Sequence, residues 1–359
     1  MGEPLRIGMV GAGTISGAYL DTLERLGNVT LTAVTDLDPG RAAAVAARVP
    51  GTAVAGSVAE LVARADVDAV LNLTIPAAHA DVALTALAAG KHVYGEKPFT
   101  TTREEADALL AAADTGGRRL GCAPDTVLGT GVQTARKAVD DGLIGTPVAA
   151  TAFMTTAGHE RWHPAPEFYY RPGGGPLLDM GPYYLSALVH LLGPVVKVTG
   201  AASRPRAERE IGGGPRAGER FGVEVDTHVS GVLQHAGGAL TTLLMSFDIQ
   251  AARLPRIEVY GTGGSLSVPD PNGFDGAVEL HGPTGKWETL PVTAGYADAG
   301  RGTGLADLAR ALAENRPHRA SAELARHVLD IMLTLLDSAR EDKALRVASS
   351  CARPEPVEA

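Results

Sequence analysis

The apolar positions divide the chain into two stretches of different periodicity. Over the first 125 residues, short apolar runs alternate with alanine-rich segments of helical period. The pattern predicts strands at 5–10, 30–35, 53–55, 67–74, 92–94 and 119–123. Between them it predicts a helix running to about residue 26 and further helices at 41–48, 58–63, 77–89 and 102–115. Asp38-Pro39 opens the second of these, and Thr102 with Glu105 has capping-box spacing at the start of the last. Strands separated by helices imply an α/β unit with a parallel, doubly wound sheet.

The pattern then changes. Longer strand-like runs at 148–156, 195–202, 223–234, 239–250, 256–259 and 277–281 follow one another through turns, with His235 to Gly238 reading as a hairpin loop. Strands that meet without intervening helices imply an antiparallel sheet and a second, α+β domain. Residues 204–220, rich in Gly, Pro, Arg and Glu, read as a mobile loop. Helices at 303–314 and 322–339 close the chain. The expected division is a first domain over 1–125 and a second over 126–359, with the closing helices free to pack back on the first.

Composition narrows the function. A chain of 359 residues, 45% hydrophobic and 20% charged, has room for two globular cores. Its net charge of −9 argues against nucleic acid or an anionic membrane as partner. Cys122 and Cys351 are the only cysteines, which suggests a reducing compartment rather than a disulfide scaffold. The first strand begins too early to leave room for a signal peptide, and no apolar run approaches a membrane span. A cytoplasmic protein is the expectation. The apolar side of residues 239–247 needs a cover, which suggests a homo-oligomer, a dimer or tetramer.

The first strand ends in Gly11-Ala12-Gly13, followed by Thr14, Ile15 and Ser16 at a helix start. Gly11 allows a tight turn and Gly13 a close backbone approach to a pyrophosphate, whose charge a helix N-terminus favours. Ser16 replaces the third glycine of the dinucleotide fingerprint and is small enough for helix–strand packing. Asp36 ends the second strand, where a carboxylate bonds the adenosine ribose hydroxyls. Together they predict NAD as cofactor; a carboxylate repels a 2′-phosphate, and Arg41 keeps NADP open.

The stretch "TIPAAH" from Thr74 to His79, the run "GKHVYGEKPF" from Gly90 to Phe99 and "GGGPLLDMGPY" from Gly173 to Tyr183 resemble the motifs of the glucose–fructose oxidoreductase and inositol dehydrogenase family, Gfo/Idh/MocA. The resemblance covers nearly the whole chain. It implies a Rossmann domain, a C-terminal domain with an open, mostly antiparallel sheet, and hydride transfer on a sugar, glycoside or cyclitol. That family usually has histidine, its general acid/base, where Tyr183 stands.

Oxidising a secondary alcohol needs a hydride acceptor and a proton acceptor. Lys97 lies past the C-terminal edge of the parallel sheet, where such folds bind ligands. Its ammonium can bond the reacting oxygen and stabilise alkoxide charge. Glu96 is expected to orient Lys97 or the nicotinamide amide, Pro98 to restrain both, and Thr74 and Pro76 to frame the nicotinamide side; His79, which opens the following helix, is expected to cap it or to line the cofactor pocket. Asp179 and Tyr183 are four apart and share one face of a helix expected to start near Gly181, with Pro182 in its first turn. Tyr183, lowered by a cation such as Lys97, is the expected proton carrier and Asp179 its relay. Asp125 follows the last strand of the first domain and could reach substrate. His159, Trp162 and His163, in "GHERWHP", could stack on and bond a sugar, and the two histidines offer a substitute base. Two histidines without a fitting carboxylate make no metal site. Two other readings remain: a redox-neutral enzyme that retains NAD while cleaving a glycoside, and a non-catalytic sensor of dinucleotide or sugar.

Overall fold

A computed structural model describes residues 3–358 and separates them into two compact units. The first comprises residues up to 128 together with 298–326; the second comprises 129–297 and the residues from 327 on.

Six strands build the sheet of the first unit: β1 (Leu5–Val10), β2 (Val29–Thr35), β3 (Ala53–Val54), β4 (Ala69–Asn72), β5 (His92–Gly95) and β6 (Leu120–Cys122). All pairs are parallel, in the order β3-β2-β1-β4-β5-β6. The direction of winding therefore reverses between β1 and β4, and the crevice past their C-terminal ends is where doubly wound sheets take ligands. Five helices connect the strands: α1 (Ser16–Leu23), α2 (Pro39–Arg48), α3 (Val58–Ala63), α4 (His79–Ala88) and α5 (Arg103–Gly116). The side chain of Asp38 caps α2, and Thr102 with Glu105 forms a complete capping box on α5. The first helix stops three residues short of the length its pattern predicts, as Leu23 is its last residue.

The second unit holds α6 (Thr130–Asp140), β7 (Pro147–Thr155), α7 (Gly175–Leu192), β8 (Val195–Ser203), β9 (Glu208–Glu210), β10 (Arg220–Gly222), β11 (His228–His235), β12 (Leu240–Ser246), β13 (Ile257–Gly261), β14 (Ser265–Val268), β15 (Glu279–His281) and β16 (Trp287–Thr289). Then α8 (Thr303–Glu314) returns to the first unit, where Leu305 and Leu308 join Ile7, Met9, Leu31 and Leu71 in its core. Helix α9 (Ala322–Glu341) begins there and belongs to the second unit from His327 on; β17 (Leu345–Arg346) follows. The nine-stranded sheet runs β16-β15-β14-β13-β7-β12-β11-β8-β17 and is antiparallel except for the parallel pair β7 and β12.

One face of this sheet is buried. Register places Ala150, Ala152 and Met154 beside Thr241, Leu243 and Met245, and all six are enclosed. Helix α7 packs on these strands, so the apolar side of β12 is covered within its own unit. That side therefore needs no second subunit to cover it. Val232 and Leu240, which alternate with the buried Leu233 and Thr241, are exposed on the other face.

Two further expectations are corrected. Residues 204–220 are not a featureless loop, because β9 and β10 pair antiparallel and Arg209 and Ile211 are buried. Helix α7 starts at Gly175, six residues before Gly181, because Pro176 rather than Pro182 occupies its first turn. Pro182 thus lies inside the helix. Among the described residues, no helix is long and apolar enough to cross a membrane.

Candidate active site

Gly11 closes β1 with φ of +94°, and a Cβ there would stand 2.7 Å from the carbonyl oxygen of Leu73, at the end of β4. Only glycine fits that turn. A Cβ on Gly13 would meet nothing within 4 Å, so the backbone at this point faces open space. Thr14 and Ile15 are exposed beside it. The carboxylate of Asp36 accepts the backbone N–H of Ala12 at 2.6 Å and that of Asp38 at 2.8 Å. These bonds fix the acid against the glycine turn, and each oxygen keeps a second acceptor site for a ribose hydroxyl. The glycine turn, the open space at Gly13 and the tethered acid fit a dinucleotide.

Next to it on the sheet, Asn72 at the end of β4 organises the Thr74–Pro76 turn. Its amide oxygen accepts the Thr74 hydroxyl at 2.6 Å, and its nitrogen donates to the His79 carbonyl at 3.0 Å. The ring of His79 is enclosed. Its Nδ1 lies 2.8 Å from the Pro98 carbonyl and its Nε2 3.0 Å from the Thr74 carbonyl. Burial pushes its basicity down. His79 therefore staples the Thr74 turn to the Lys97-Pro98 segment from behind, and does not cap α4 with its side chain.

Lys97 is half-buried just past β5, and its bond to Pro98 is cis. Glu96 is buried: Oε2 accepts the backbone N–H of Lys97 at 2.9 Å, and Oε1 accepts the hydroxyl of Tyr19 at 2.8 Å. Glu96 thus holds the backbone of the lysine and the middle of α1 together. Tyr19 was not singled out by the sequence; its position three residues after Ser16, on the same buried helix face, is the one signal that marks it.

Asp125 does not stand on an open loop. Its side chain is fully enclosed, and Oδ2 accepts the N–H groups of Gly302 and Gly304 at 2.8 and 2.9 Å, at the start of α8. Burial pushes its carboxyl up to about 6 against the pull of those two bonds and of Arg301. It anchors α8, and the substrate contact expected of it has no opening.

In the second unit, Asp179 and Tyr183 lie one turn apart on α7, Tyr183 buried. The carboxylate of Asp179 faces His159, with Oδ2 2.9 Å from the histidine Nε2 and both side chains about nine-tenths enclosed (12% exposed each). A carboxylate only accepts, so Nε2 carries a proton and donates. The imidazole lies among aromatic rings: Trp162, Tyr169 and Phe247 have centroids 5.3, 4.6 and 4.5 Å away. His163 packs edge-on to Trp162, Phe168 and Tyr169, its Nδ1 accepts the N–H of Ala165, and burial pushes its basicity down. Trp162 and Phe168 present exposed faces, 61% and 48%. His159, Trp162 and His163 are thus one cluster, with Asp179 at its edge. Tyr184 points away, into the core, with its hydroxyl 3.5 Å from Asp270.

A doubly wound sheet with a dinucleotide turn, followed by a unit carrying a histidine–carboxylate pair, fits a nicotinamide-dependent oxidoreductase. The sequence matches an oxidoreductase family model with an NAD-binding Rossmann fold over residues 5–123 and a GFO/IDH/MocA C-terminal domain over residues 132–267. It is 30% identical over 274 residues to inositol 2-dehydrogenase 3 of Saccharopolyspora erythraea, covering 74% of each chain. To the dTDP-3,4-didehydro-2,6-dideoxy-alpha-D-glucose 3-reductase of Streptomyces antibioticus it is 33% identical over 270 residues, covering 74% of this chain and 75% of the other. The protein belongs to the Gfo/Idh/MocA family of NAD-binding oxidoreductases.

Solved structures share the fold. An NAD binding oxidoreductase from Klebsiella pneumoniae superposes with a TM-score of 0.85 at 24% identity, over 97% of this chain and all of the other. A levoglucosan dehydrogenase in complex with NADH and L-sorbose gives 0.81 at 20% identity, over 97% and 100% of the two chains.

Proposed function

We propose that the protein is an NAD-dependent dehydrogenase that moves hydride between nicotinamide and a hydroxyl-bearing carbon of a sugar, glycoside or cyclitol. The observation that carries the reading is the pair formed by His159 and Asp179, 2.9 Å apart inside an aromatic cluster. It supplies a proton acceptor whose orientation is fixed by a carboxylate, beside rings that can stack on the apolar face of a sugar. The names of the two curated relatives, one acting on an inositol and one on a nucleotide-linked sugar, support the substrate class.

Gly11, Gly13, Thr14 and Ile15 would hold the pyrophosphate, and Asp36 the adenosine ribose. Thr74, Pro76 and the Glu96–Lys97 segment would frame the nicotinamide, with His79 holding that frame from behind. NAD, when bound, supplies the hydride acceptor. The ammonium of Lys97 bonds the reacting oxygen and stabilises its developing negative charge. In the second unit, the pair of His159 and Asp179 is assigned the proton: with Nε2–H donated to Asp179, Nδ1 is the ring nitrogen left to receive one. Tyr183, one turn after Asp179, bonds the substrate or shares the proton; Trp162 and His163 contact the sugar.

A panel of sugars, glycosides and inositols with NAD and with NADP tests the reading through the absorbance of reduced nicotinamide. Net NADH formation supports it. Product without net NADH indicates the NAD-retaining reaction, and no turnover with retained dinucleotide binding indicates a sensor. His159→Gln and Tyr183→Phe, run side by side, assign the proton: the carrier is the one whose loss lowers turnover and alters the pH profile.

A further inference from the structure

We propose that Arg209 is a positioning residue for this reaction: from the β9–β10 hairpin, its guanidinium fixes His159 against Asp179 through Glu160, Tyr170 and Phe247. The inference rests on the reading of His159 and Asp179 as the proton-handling pair.

Arg209 is almost wholly enclosed, its side chain 1% exposed. One guanidinium nitrogen, Nη1, donates to Glu160 Oε1 at 2.7 Å and to the Phe247 carbonyl at 3.1 Å. The other, Nη2, donates to Asp248, whose second oxygen accepts the Thr227 hydroxyl at 2.6 Å. The plane lies over the Tyr170 ring, 4.9 Å from its centroid. The Tyr170 hydroxyl donates to Glu160 Oε2 and accepts the backbone N–H of His159 at 3.1 Å.

Three of these partners border His159. Glu160 is its neighbour in the chain, Tyr170 bonds its N–H, and Phe247 packs on its ring at 4.5 Å. Even the space beside Gly158 is taken: a Cβ there would fall within 2.5 Å of Glu160 Oε2 and Arg209 Nη1. Three separate segments, at 159–161, 167–170 and 247–248, therefore meet on one cation. A planar fork with five donors can serve two carboxylates and a carbonyl while stacking on a ring; a lysine ammonium cannot do all of these. Displacement of His159 by about 1 Å is enough to cost on the order of 10²-fold in rate.

The test uses the full chain with NAD, comparing Arg209→Lys, Tyr170→Phe and His159→Gln with wild type. Tyr170→Phe keeps the ring and removes only the hydroxyl that links Glu160 to His159. Three quantities are read: dinucleotide affinity by the fluorescence of bound NADH, the split of kcat from KM, and the low-field proton signal of the His159 Nε2–H, identified by its absence in His159→Gln. Arg209→Lys and Tyr170→Phe are expected to bind NAD as wild type does, to lose about 10-fold or more in kcat, and to lose or broaden that signal. Wild-type kcat and an intact signal in both variants would reduce Arg209 to a stabilising residue and overturn the proposal. If Arg209→Lys does not fold, Tyr170→Phe decides. If His159→Gln keeps full turnover, the proton assignment has failed, and the signal alone still reports whether Arg209 holds the ring.

Discussion

The hydroxyl of Tyr19 donates a 2.8 Å hydrogen bond to Glu96, tying the helix that opens at the glycine turn to the segment that presents Lys97. Burial, and then the Glu96 charge, push the Tyr19 phenol well above its ordinary range, so it stays a donor at any working pH. Tyr19→Phe leaves one oxygen of a buried carboxylate without this donor. It should cost about 1–3 kcal/mol in a urea unfolding titration. Turnover should fall as well, because the Lys97 backbone loses part of its hold. Stability equal to wild type would show that Glu96 needs only the Lys97 N–H.

On the proposed reading, Asp36 is the residue expected to favour NAD over NADP. Asp36→Asn removes the charge and can satisfy one of the two N–H groups that the carboxylate now accepts. NAD affinity should drop about 10-fold, or about 1.4 kcal/mol. NADP affinity should fall less or rise, so the ratio of the two dissociation constants, measured by fluorescence titration, narrows. An unchanged ratio would place discrimination elsewhere.

Lys97→Met separates chemistry from cofactor binding. Loss of a cation that stabilises oxygen charge should lower kcat by about 10²–10³-fold. The dissociation constant for NAD should stay close to that of wild type. A variant that turns over normally would remove Lys97 from the mechanism.

Asp125 makes stability depend on pH with a definite sign. Its folded-state value, about 6, lies above the ordinary ~3.9 of a free aspartate. The native state therefore binds more protons than the unfolded state between these values, and stability falls as pH rises through that window. The contribution reaches up to about 3 kcal/mol. In Asp125→Asn, whose amide oxygen can still accept from Gly302 and Gly304, that part of the slope should vanish. Parallel denaturation series at pH 4 to 7 measure the difference; identical slopes would refute it.

Much of the first unit is legible in the chain because its information is local. Strand runs, the Asp38 cap, the Thr102–Glu105 box, and Gly11 with Asp36 all lie where the residues imply. The Gly173–Tyr183 motif is legible, but the start of its helix is not, because Pro176 and Pro182 both suit a first turn and only Pro176 occupies it. Contacts between distant residues left little trace. His159 and Asp179 are twenty residues apart, and nothing in their spacing brings them together. Arg209 looked like one more charge in a Gly- and Pro-rich stretch, since its partners at 160, 170, 247 and 248 lie far along the chain. Helix α6 carries Val132, Ala135 and Ala138 at helical spacing, a signal that could have found it.

The return of α8 to the first unit has a consequence for how the protein is made. Leu305 and Leu308 complete a core whose strands begin at residue 5, so about 300 residues must leave the ribosome before that core can close. During synthesis at ~5–20 residues per second, the dinucleotide sheet waits some tens of seconds with one side of its apolar core unfilled. A fragment ending near residue 128 would stay in that condition permanently.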